Sequence, residues 1–285
     1  MGYIDEAFDK LKSNLEITEA ESELAQSRHQ LIRDHIESSW QLLDHFLTGS
    51  YARHTKTKKL KDVDIFAVID PEGAQGHLAS GTGTAAVAAL KAVLATSWTD
   101  LETDEHVVTI NYGGEDVASY EIAPAFPRNG GGYRIPAGAG WMDTDPNEHA
   151  KMVTAKNEKC SHQFVPFVKM VKGINREANE PVEPPFLLEA MGLSLVLEPF
   201  GRYRDEIRFF LASAADRITD NWADPAGLGP DINAKAPLAR RREVATIIRR
   251  WQAIAEQALL LESEGKERAS VEKWRELFGW RMPRP

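Results

Sequence analysis

Segments with strand character are confined to the first half of this chain, and the second half contains only helix-forming sequence. Residues 63–69 are apolar, rich in β-branched side chains and followed by Asp70-Pro71, which predicts a strand. Two further runs of strand composition, 106–112 and 116–123, flank Gly113-Gly114 and predict a hairpin. Because strands followed by helices are typical of α+β folds, we expect a small mixed-sheet lobe with helices, followed by a helical lobe.

The start of the chain predicts one long helix. Thr18 and Glu21 have the spacing of a capping box, and apolar residues recur at helical intervals after them. These features predict a helix over 18–47 that ends at Gly49. Farther along, the run 127–140 is rich in glycine and proline and predicts a long loop.

The second half begins at Asp145-Pro146, an Asp cap followed by proline at the first helical position. From there, helices are predicted at about 146–158, 161–178, 185–198, 203–221, 236–262 and 268–279. We therefore expect one lobe over 1–145, which includes the long N-terminal helix, and a helical lobe over 146–285. A cleft between two lobes is a common place for a ligand site.

Composition excludes several classes of protein. The chain has 285 residues, a formal net charge of −9 and a single cysteine, Cys160, which excludes an internal disulfide and a cysteine-cluster zinc site. The acidic balance argues against a protein that coats DNA or RNA. The first residues lack a signal-peptide pattern, and no apolar run approaches the ~18 residues of a membrane span. We expect a cytoplasmic protein with no membrane partner and no general nucleic-acid surface.

Asp62 and Asp64 lie at alternate positions where the first predicted strand begins. Alternate strand residues share a face about 7 Å apart, and like charges that close are unfavourable unless a cation lies between them. Magnesium takes oxygen ligands and leaves positions for water and phosphate. A third acid, Glu121, lies on a later apolar strand, with Tyr120 and Ile122 on the opposite face. A D-x-D pattern alone is typical of a solvated strand end, but this combination favours a metal site.

Gly49-Ser50 lies shortly before the acidic pair. Glycine lets the backbone approach a ligand, and amide groups at the start of a short helix over 50–53 attract anions. This pattern fits a phosphate grip, although Gly-Ser after a helix is also a common C-cap. A basic run follows, which is either a solvated loop or a surface that complements a triphosphate or a nucleotide acceptor. Its members are Arg53, Lys56, Lys58, Lys59 and Lys61.

The Gly-Ser motif, the D-x-D pair and a third acid on another strand together resemble the nucleotidyltransferase superfamily that includes DNA polymerase β. Over about residues 45 to 240, the chain also resembles the cGAS/DncV-like nucleotidyltransferases (CD-NTases of the SMODS type). Two positions depart from that family: Ile174 replaces the usual tryptophan, and Glu121 stands where the third acid is usually aspartate. The segments that carry the likeness beyond the core motifs are 133–136, 141–146, His149, 171–175, 186–189 and Asp224-Pro225.

This resemblance implies a two-lobed nucleotidyltransferase fold with the active site in the cleft and a two-metal phosphoryl transfer. Asp62, Asp64 and Glu121 would hold two Mg²⁺ ions, for which Mn²⁺ is a possible substitute. Two lysines on one face of a later helix would reach the triphosphate, although they are otherwise ordinary surface lysines. The residues that the resemblance assigns to nucleotide binding are Gly49, Ser50, Arg53, Lys169 and Lys172.

The implied activity is synthesis of a cyclic di- or trinucleotide from nucleoside triphosphates such as ATP and GTP. In this family such products are second messengers in bacterial antiphage (CBASS) defence, which implies a separate effector protein, and we expect a monomer. Two alternatives stay open. One is a transferase that adds nucleotides to an RNA, a protein or a small molecule, and the other is a catalytically weak nucleotide-binding relic, suggested by Glu121. Base selectivity, ring size and the 2′–5′ or 3′–5′ linkage depend on pocket shape.

Overall fold

Seven strands of the described chain form one mixed sheet. The computed structural model describes residues 2–113 and 117–285. The chain divides into two compact units, one formed by Ile17–Lys151 and the other by Met1–Glu16 together with Met152–Pro285. The sheet and its covering helices belong to the first unit, and the second is helical, so the predicted α+β class is confirmed.

The chain contains ten α-helices and seven strands within the described residues, and the helices after residue 145 follow the predicted order. The helices are α1 (Tyr3–Leu15), α2 (Glu19–Glu37), α3 (Gly49–Ala52), α4 (Gly83–Leu94), α5 (Pro146–Lys159), α6 (Phe164–Glu177), α7 (Phe186–Leu195), α8 (Tyr203–Arg217), α9 (Leu238–Ser263) and α10 (Glu267–Phe278). The strands are β1 (Leu42–Leu47), β2 (Asp62–Ile69), β3 (Leu101–Thr103), β4 (Val108–Asn111), β5 (Ser119–Pro127), β6 (Tyr133–Ala137) and β7 (Gly140–Thr144). The predicted helices beyond residue 145 are present as α5 to α10. None of the helices in the described ranges combines the length and the apolar character needed to cross a membrane.

The main path of the sheet runs β1-β2-β5-β4-β3, and β6 connects β5 to β7. Strands β2 and β5 are parallel, whereas the other pairs are antiparallel. The predicted hairpin is present as β4 and β5, with Val108 opposite Ile122. Residues 114–116, which include part of its expected turn, lie outside the described residues. Parallel strands need a long connection, and the chain between β2 and β5 supplies it with α4, β3 and β4.

Alternation along β2 gives the sheet two different faces. Val63 and Ile65 pack with Ile32 of α2 and Leu90 of α4 in the larger core of this unit. Phe66 points the other way, into a smaller apolar cluster on the opposite face. The two aspartates of β2 lie two and four positions before Phe66 and therefore share its face, away from α2 and α4.

The single helix predicted over 18–47 is wrong in its second part. Its capping box is confirmed, since Glu21 N donates to Thr18 Oγ1 at 3.1 Å and Thr18 N donates to Glu21 Oε2 at 2.7 Å. Helix α2 covers only the first part of the range, and β1 then pairs antiparallel with β2, with Phe46 opposite Phe66. The apolar spacing of β1 fits a helix, but pairing with a buried neighbouring strand supplies backbone hydrogen bonds that favour the extended form.

The loop predicted over 127–140 is also wrong. Strands β6 and β7 form an antiparallel hairpin there, with Pro136 opposite Trp141. The glycines lie at the turns: Gly131 has a φ of 98° between β5 and β6, and Gly138 has a φ of 61° between β6 and β7. Because glycine adopts positive φ without a steric penalty, the glycine content of this run serves two closely spaced turns.

Helix α1 belongs to the helical unit. The ring of Phe8 packs edge-on against Trp274 of α10, with centroids 5.3 Å apart. A Cβ atom at Gly173 of α6 would lie 3.0 Å from Leu15 Cδ2, so the absence of a side chain there lets α1 and α6 approach closely. The first residues thus pack with helices that are distant in the sequence, a contact that local patterns do not indicate.

Two histidines meet between α2 and β1. His45 Nδ1 lies 3.4 Å from His29 Nε2, and the ring centroids are 5.3 Å apart. Burial, together with His45 and Arg33, lowers the pKa of His29 to about 4. Burial and Arg33 also lower the pKa of His45, against the opposing effect of nearby carboxylates. The His29 ring is therefore neutral near pH 7.

We expect His29 to make the stability of the protein depend on pH. Its pKa is about 6.5 in the unfolded chain and about 4 in the fold, so the unfolded chain binds the proton first as pH falls. The free energy of unfolding that depends on neutral His29 is fully present above about pH 6.5. It is lost progressively as the pH falls towards 4. With allowance for screening of a partly exposed ring, the free energy of unfolding should fall by about 1 kcal/mol more in the wild type than in His29→Gln between about pH 7 and pH 5. Urea unfolding measures this difference, and His77→Gln, at an exposed histidine, is the control. Equal pH slopes for wild type and His29→Gln would contradict it.

Candidate active site

The parallel pairing of β2 with β5 brings the three predicted acids together. Asp64 lies opposite Glu121 in the register, and Asp62 lies opposite Ser119. Tyr120 and Ile122 belong to the core on the α2 and α4 side, so Glu121 projects from the other face with the two aspartates. Neighbouring strands are about 4.8 Å apart, which makes Asp64 and Glu121 direct neighbours across the sheet.

Burial and the two aspartates raise the cost of ionising Glu121. Burial raises the pKa of Glu121 to about 7, and the negative charges of Asp64 and then Asp62 act in the same direction. Lys56 acts in the opposite direction on the same group. Ionisation of Glu121 is therefore unfavourable on this face, and a bound cation would make it more favourable.

Lys56 is a basic residue that the structure places on this acidic face. Its Nζ donates to Asp62 Oδ2 at 2.7 Å, and its side chain is only 13% exposed. By contrast, Lys59 and Lys61 of the same basic run are exposed. Lys56 thus pairs with Asp62, a partner that no spacing rule in the sequence indicates. Contact of the basic run with a triphosphate or a nucleotide acceptor stays a prediction.

Gly49 is where the Gly-Ser turn meets the acidic pair. The prediction that this glycine ends a helix is wrong, because Gly49 begins the short helix α3 after β1, with a φ of 60°. A side-chain carbon at this position would overlap the Asp64 carboxylate. Thr48 N also donates to Asp64 O at 2.8 Å. The turn and the second aspartate are therefore fixed against each other, and only glycine satisfies both the dihedral angle and the space.

Ser50 and Arg53, the other two residues predicted to bind nucleotide in this unit, are largely buried next to that turn, each 8% exposed. The Ser50 carbonyl accepts from Thr55 N at 2.9 Å, which closes α3 onto the following segment. Their contact with phosphate stays a prediction, as does that of Gly49.

The donor set of this face suits a hard divalent cation. Three carboxylates on two paired strands supply oxygen ligands, and burial, followed by the charges of Asp64 and Asp62, raises the pKa of Glu121. In the side-chain positions recorded for residues 2–113 and 117–285, however, no three His, Cys, Asp or Glu side chains form a closed metal-ligating group. One carboxylate, that of Asp62, is engaged by Lys56 instead.

Lys169 and Lys172 of α6 lie in the helical unit, and both are paired there with carboxylates. Lys169 Nζ donates to Glu16 Oε2, and Lys172 Nζ donates to Glu189 Oε1 at 2.9 Å. Glu189 of α7 is fully buried, so this cation offsets a charge that would otherwise be very unfavourable. Sequence reasoning missed both partners, although a glutamate within an apolar helix is a signal for a buried counter-ion. The predicted contact of these lysines with a triphosphate stays a prediction.

Two sequence similarities bear on this site. Residues 2–157 match the model of the Second Messenger Oligonucleotide or Dinucleotide Synthetase domain family, a range that includes all three acids. A protein described as a probable cyclic nucleotide synthase from Bacillus cereus (strain VD146) is 22% identical over 273 residues. The match covers 82% of this chain and 81% of that protein.

Solved structures with the same fold are similar over nearly the whole chain. The CD-NTase CdnG of Bradyrhizobium diazoefficiens, in complex with GTP, gives a TM-score of 0.75 at 14% identity, covering 99% of this chain and 96% of that one. CdnC of E. coli MS115-1 with ATP gives a TM-score of 0.72 at 12% identity, covering 98% of this chain and 98% of that one. The Vibrio cholerae DncV cyclic AMP-GMP synthase gives a TM-score of 0.70 at 12% identity, covering 95% of this chain and 93% of that one. At these identities the likeness shows the fold alone.

The contact between Gly49 and Asp64 predicts a specific sensitivity to substitution. Gly49→Ala would introduce both an unfavourable positive φ and an overlap with the carboxylate. Gly113→Ala would introduce only the first, since no atom of the described residues lies within 4 Å of its added carbon. We expect the free energy of unfolding to fall by about 3 kcal/mol for Gly49→Ala and by about 1 kcal/mol for Gly113→Ala. Chemical denaturation of both variants measures the difference. Equal losses would show that the turn and the aspartate are not in contact.

Proposed function

The chain belongs to the Second Messenger Oligonucleotide or Dinucleotide Synthetase family of nucleotidyltransferases, and we propose that it makes a cyclic di- or trinucleotide from nucleoside triphosphates. The observation that carries this proposal is the register that sets Asp64 beside Glu121, with Asp62 on the same face. The named activity of the Bacillus cereus relative and the GTP and ATP complexes of CdnG and CdnC support the substrate class.

Asp62, Asp64 and Glu121 would hold two Mg²⁺ ions, or Mn²⁺, in this proposal. When bound, such ions neutralise charge on the triphosphate and make a hydroxyl group a better nucleophile. The pairing of β2 with β5 and of β5 with β4 holds the backbone of Asp64 and Glu121 in place, so rotation of the carboxylate side chains would close the site on a metal. Glu121 is one methylene longer than aspartate and can still ligate a metal with its carboxylate oxygens.

The remaining residues would position the nucleotides. Gly49 and Ser50 would hold the β- and γ-phosphates through the turn that follows β1, and Arg53 would add a positive charge. Lys169 and Lys172 would contribute from the helical lobe, after exchange of their present carboxylate partners. The 3′- or 2′-hydroxyl group of one nucleotide would attack the α-phosphate of another, and pyrophosphate would leave. Chemistry of this kind depends mostly on positioning and charge neutralisation.

The product would act as a second messenger that activates a separate effector protein in bacterial antiphage signalling. The family resemblance supports this role. The catalytic assignment of the lobe over 1–145 and the supporting role of 146–285 are part of the same proposal. Monomeric state and cytoplasmic location stay predictions from the sequence.

The proposal predicts that the purified protein converts labelled nucleoside triphosphates with Mg²⁺ or Mn²⁺ into a small product that resists phosphatase. Asp64→Asn should lower the rate at least about 100-fold, since it removes a negative ligand of the metal. Its thermal stability in EDTA should be unchanged or higher, because repulsion among the carboxylates decreases. Asp70→Asn, just past the other end of β2, is the matched control and should keep its activity.

Other results of the same assay would favour a different function. A product that forms only with an added RNA, protein or small molecule would indicate a transferase with a separate acceptor. Nucleotide binding without turnover would indicate a relic, and recovery of turnover by Glu121→Asp would identify the third acid as the cause. A fully active Asp64→Asn variant would overturn the mechanism.

A further inference from the structure

The acidic face already contains a cation supplied by the chain itself. Lys56 Nζ lies 2.7 Å from Asp62 Oδ2, and the lysine also favours the ionised form of Glu121. The Lys56 side chain is 13% exposed and that of Asp62 is 37% exposed, so the pair is partly shielded from solvent. Such pairs retain more of their attraction than fully exposed ones.

The backbone around Lys56 is held in place on both sides. Thr55 is fully buried, and its N donates to Ser50 O at 2.9 Å. Farther along, Leu60 N donates to Glu21 Oε1 at 2.8 Å, which ties the end of the segment to the start of α2. The ammonium group can therefore leave the carboxylate by rotation of its long side chain while the backbone stays fixed.

We propose that Lys56 is an internal counter-ion that occupies the cation position of Asp62 in the metal-free protein and competes with the divalent metal for that carboxylate. This inference rests on the proposed function, since it requires metal binding by the acids. Lys56 is thus a positioning residue with two effects. It stabilises the acidic face before metal and nucleotide bind, and it raises the metal concentration that the site requires.

The effect of this competition on the apparent dissociation constant of the metal can be predicted. The apparent dissociation constant of a ligand rises by the inverse of the fraction of protein that is competent to bind it. A partly shielded ion pair that is formed most of the time leaves a minority of molecules with Asp62 available. Removal of the ammonium group should therefore tighten metal binding by roughly three- to tenfold.

The first test is a titration of the full chain with Mn²⁺ in the absence of nucleotide, followed by electron paramagnetic resonance of the free ion. Lys56→Gln should bind Mn²⁺ roughly three- to tenfold more tightly than the wild type. Lys56→Arg keeps a cation that can pair with a carboxylate and should stay within about twofold of the wild type. Lys61→Gln removes an exposed charge from the same segment and should also stay within about twofold, because salt screens it.

The second test measures thermal unfolding and does not depend on catalysis. In EDTA, Lys56→Gln should melt about 2–4 °C below the wild type, because the acidic face loses the cation that pairs with Asp62. Addition of Asp62→Asn to Lys56→Gln should recover most of that loss, and saturating Mg²⁺ should narrow the gap between Lys56→Gln and the wild type. If Lys56 were merely structural, neither Asp62→Asn nor saturating Mg²⁺ would change the loss of melting temperature in Lys56→Gln.

The outcomes separate this inference from the proposed function. If Asp64→Asn leaves Mn²⁺ binding unchanged, the acids are not the metal site, and both the mechanism and the role of Lys56 are wrong. If Asp64→Asn abolishes binding while Lys56→Gln binds Mn²⁺ as the wild type does, only the role of Lys56 is wrong. Equal tightening by Lys56→Gln and Lys61→Gln would show a general charge effect and would also overturn the competition.

Discussion

The parallel pairing of β2 with β5 is the interaction on which the rest of the site depends. It sets Asp64 beside Glu121 and leaves Asp62 on the same face. A shift of one residue in this register would turn Glu121 into the core, where Ile122 and Tyr120 now lie. The apolar residues that alternate with the acids therefore fix the chemistry, because burying them on the α2 and α4 side leaves a single face for the carboxylates.

Negative charge concentrated on a rigid sheet is unfavourable, and the structure reduces that cost in two local ways. Lys56 neutralises part of the charge through Asp62, and the absence of a side chain at Gly49 leaves space for the Asp64 carboxylate. Burial and then the charges of Asp64 and Asp62 nevertheless raise the pKa of Glu121. Lys56 and Gly49 thus offset part of the cost of placing three carboxylates on one face of the sheet.

Several lysines that a phosphate-binding enzyme would use are committed to carboxylates in this structure. Lys169 pairs with Glu16 and Lys172 with the buried Glu189, in the same way as Lys56 pairs with Asp62. A buried ammonium group without an anion is costly, so a basic side chain that awaits an anionic substrate needs a temporary partner. Exchange of these partners for phosphate oxygens would connect substrate binding to rearrangement of side chains within each unit.

Local sequence patterns were enough to predict the features that depend on neighbours along the chain. The capping box at Thr18, the helices after residue 145 and the shared face of Asp62 and Asp64 follow from local spacing. Tertiary structure alone decided that β1 is extended, that α1 joins the helical unit, and that Lys56 meets Asp62. Those outcomes depend on hydrogen bonds and charges from residues that are not neighbours along one segment. The spacing of residue types within a segment does not indicate such partners.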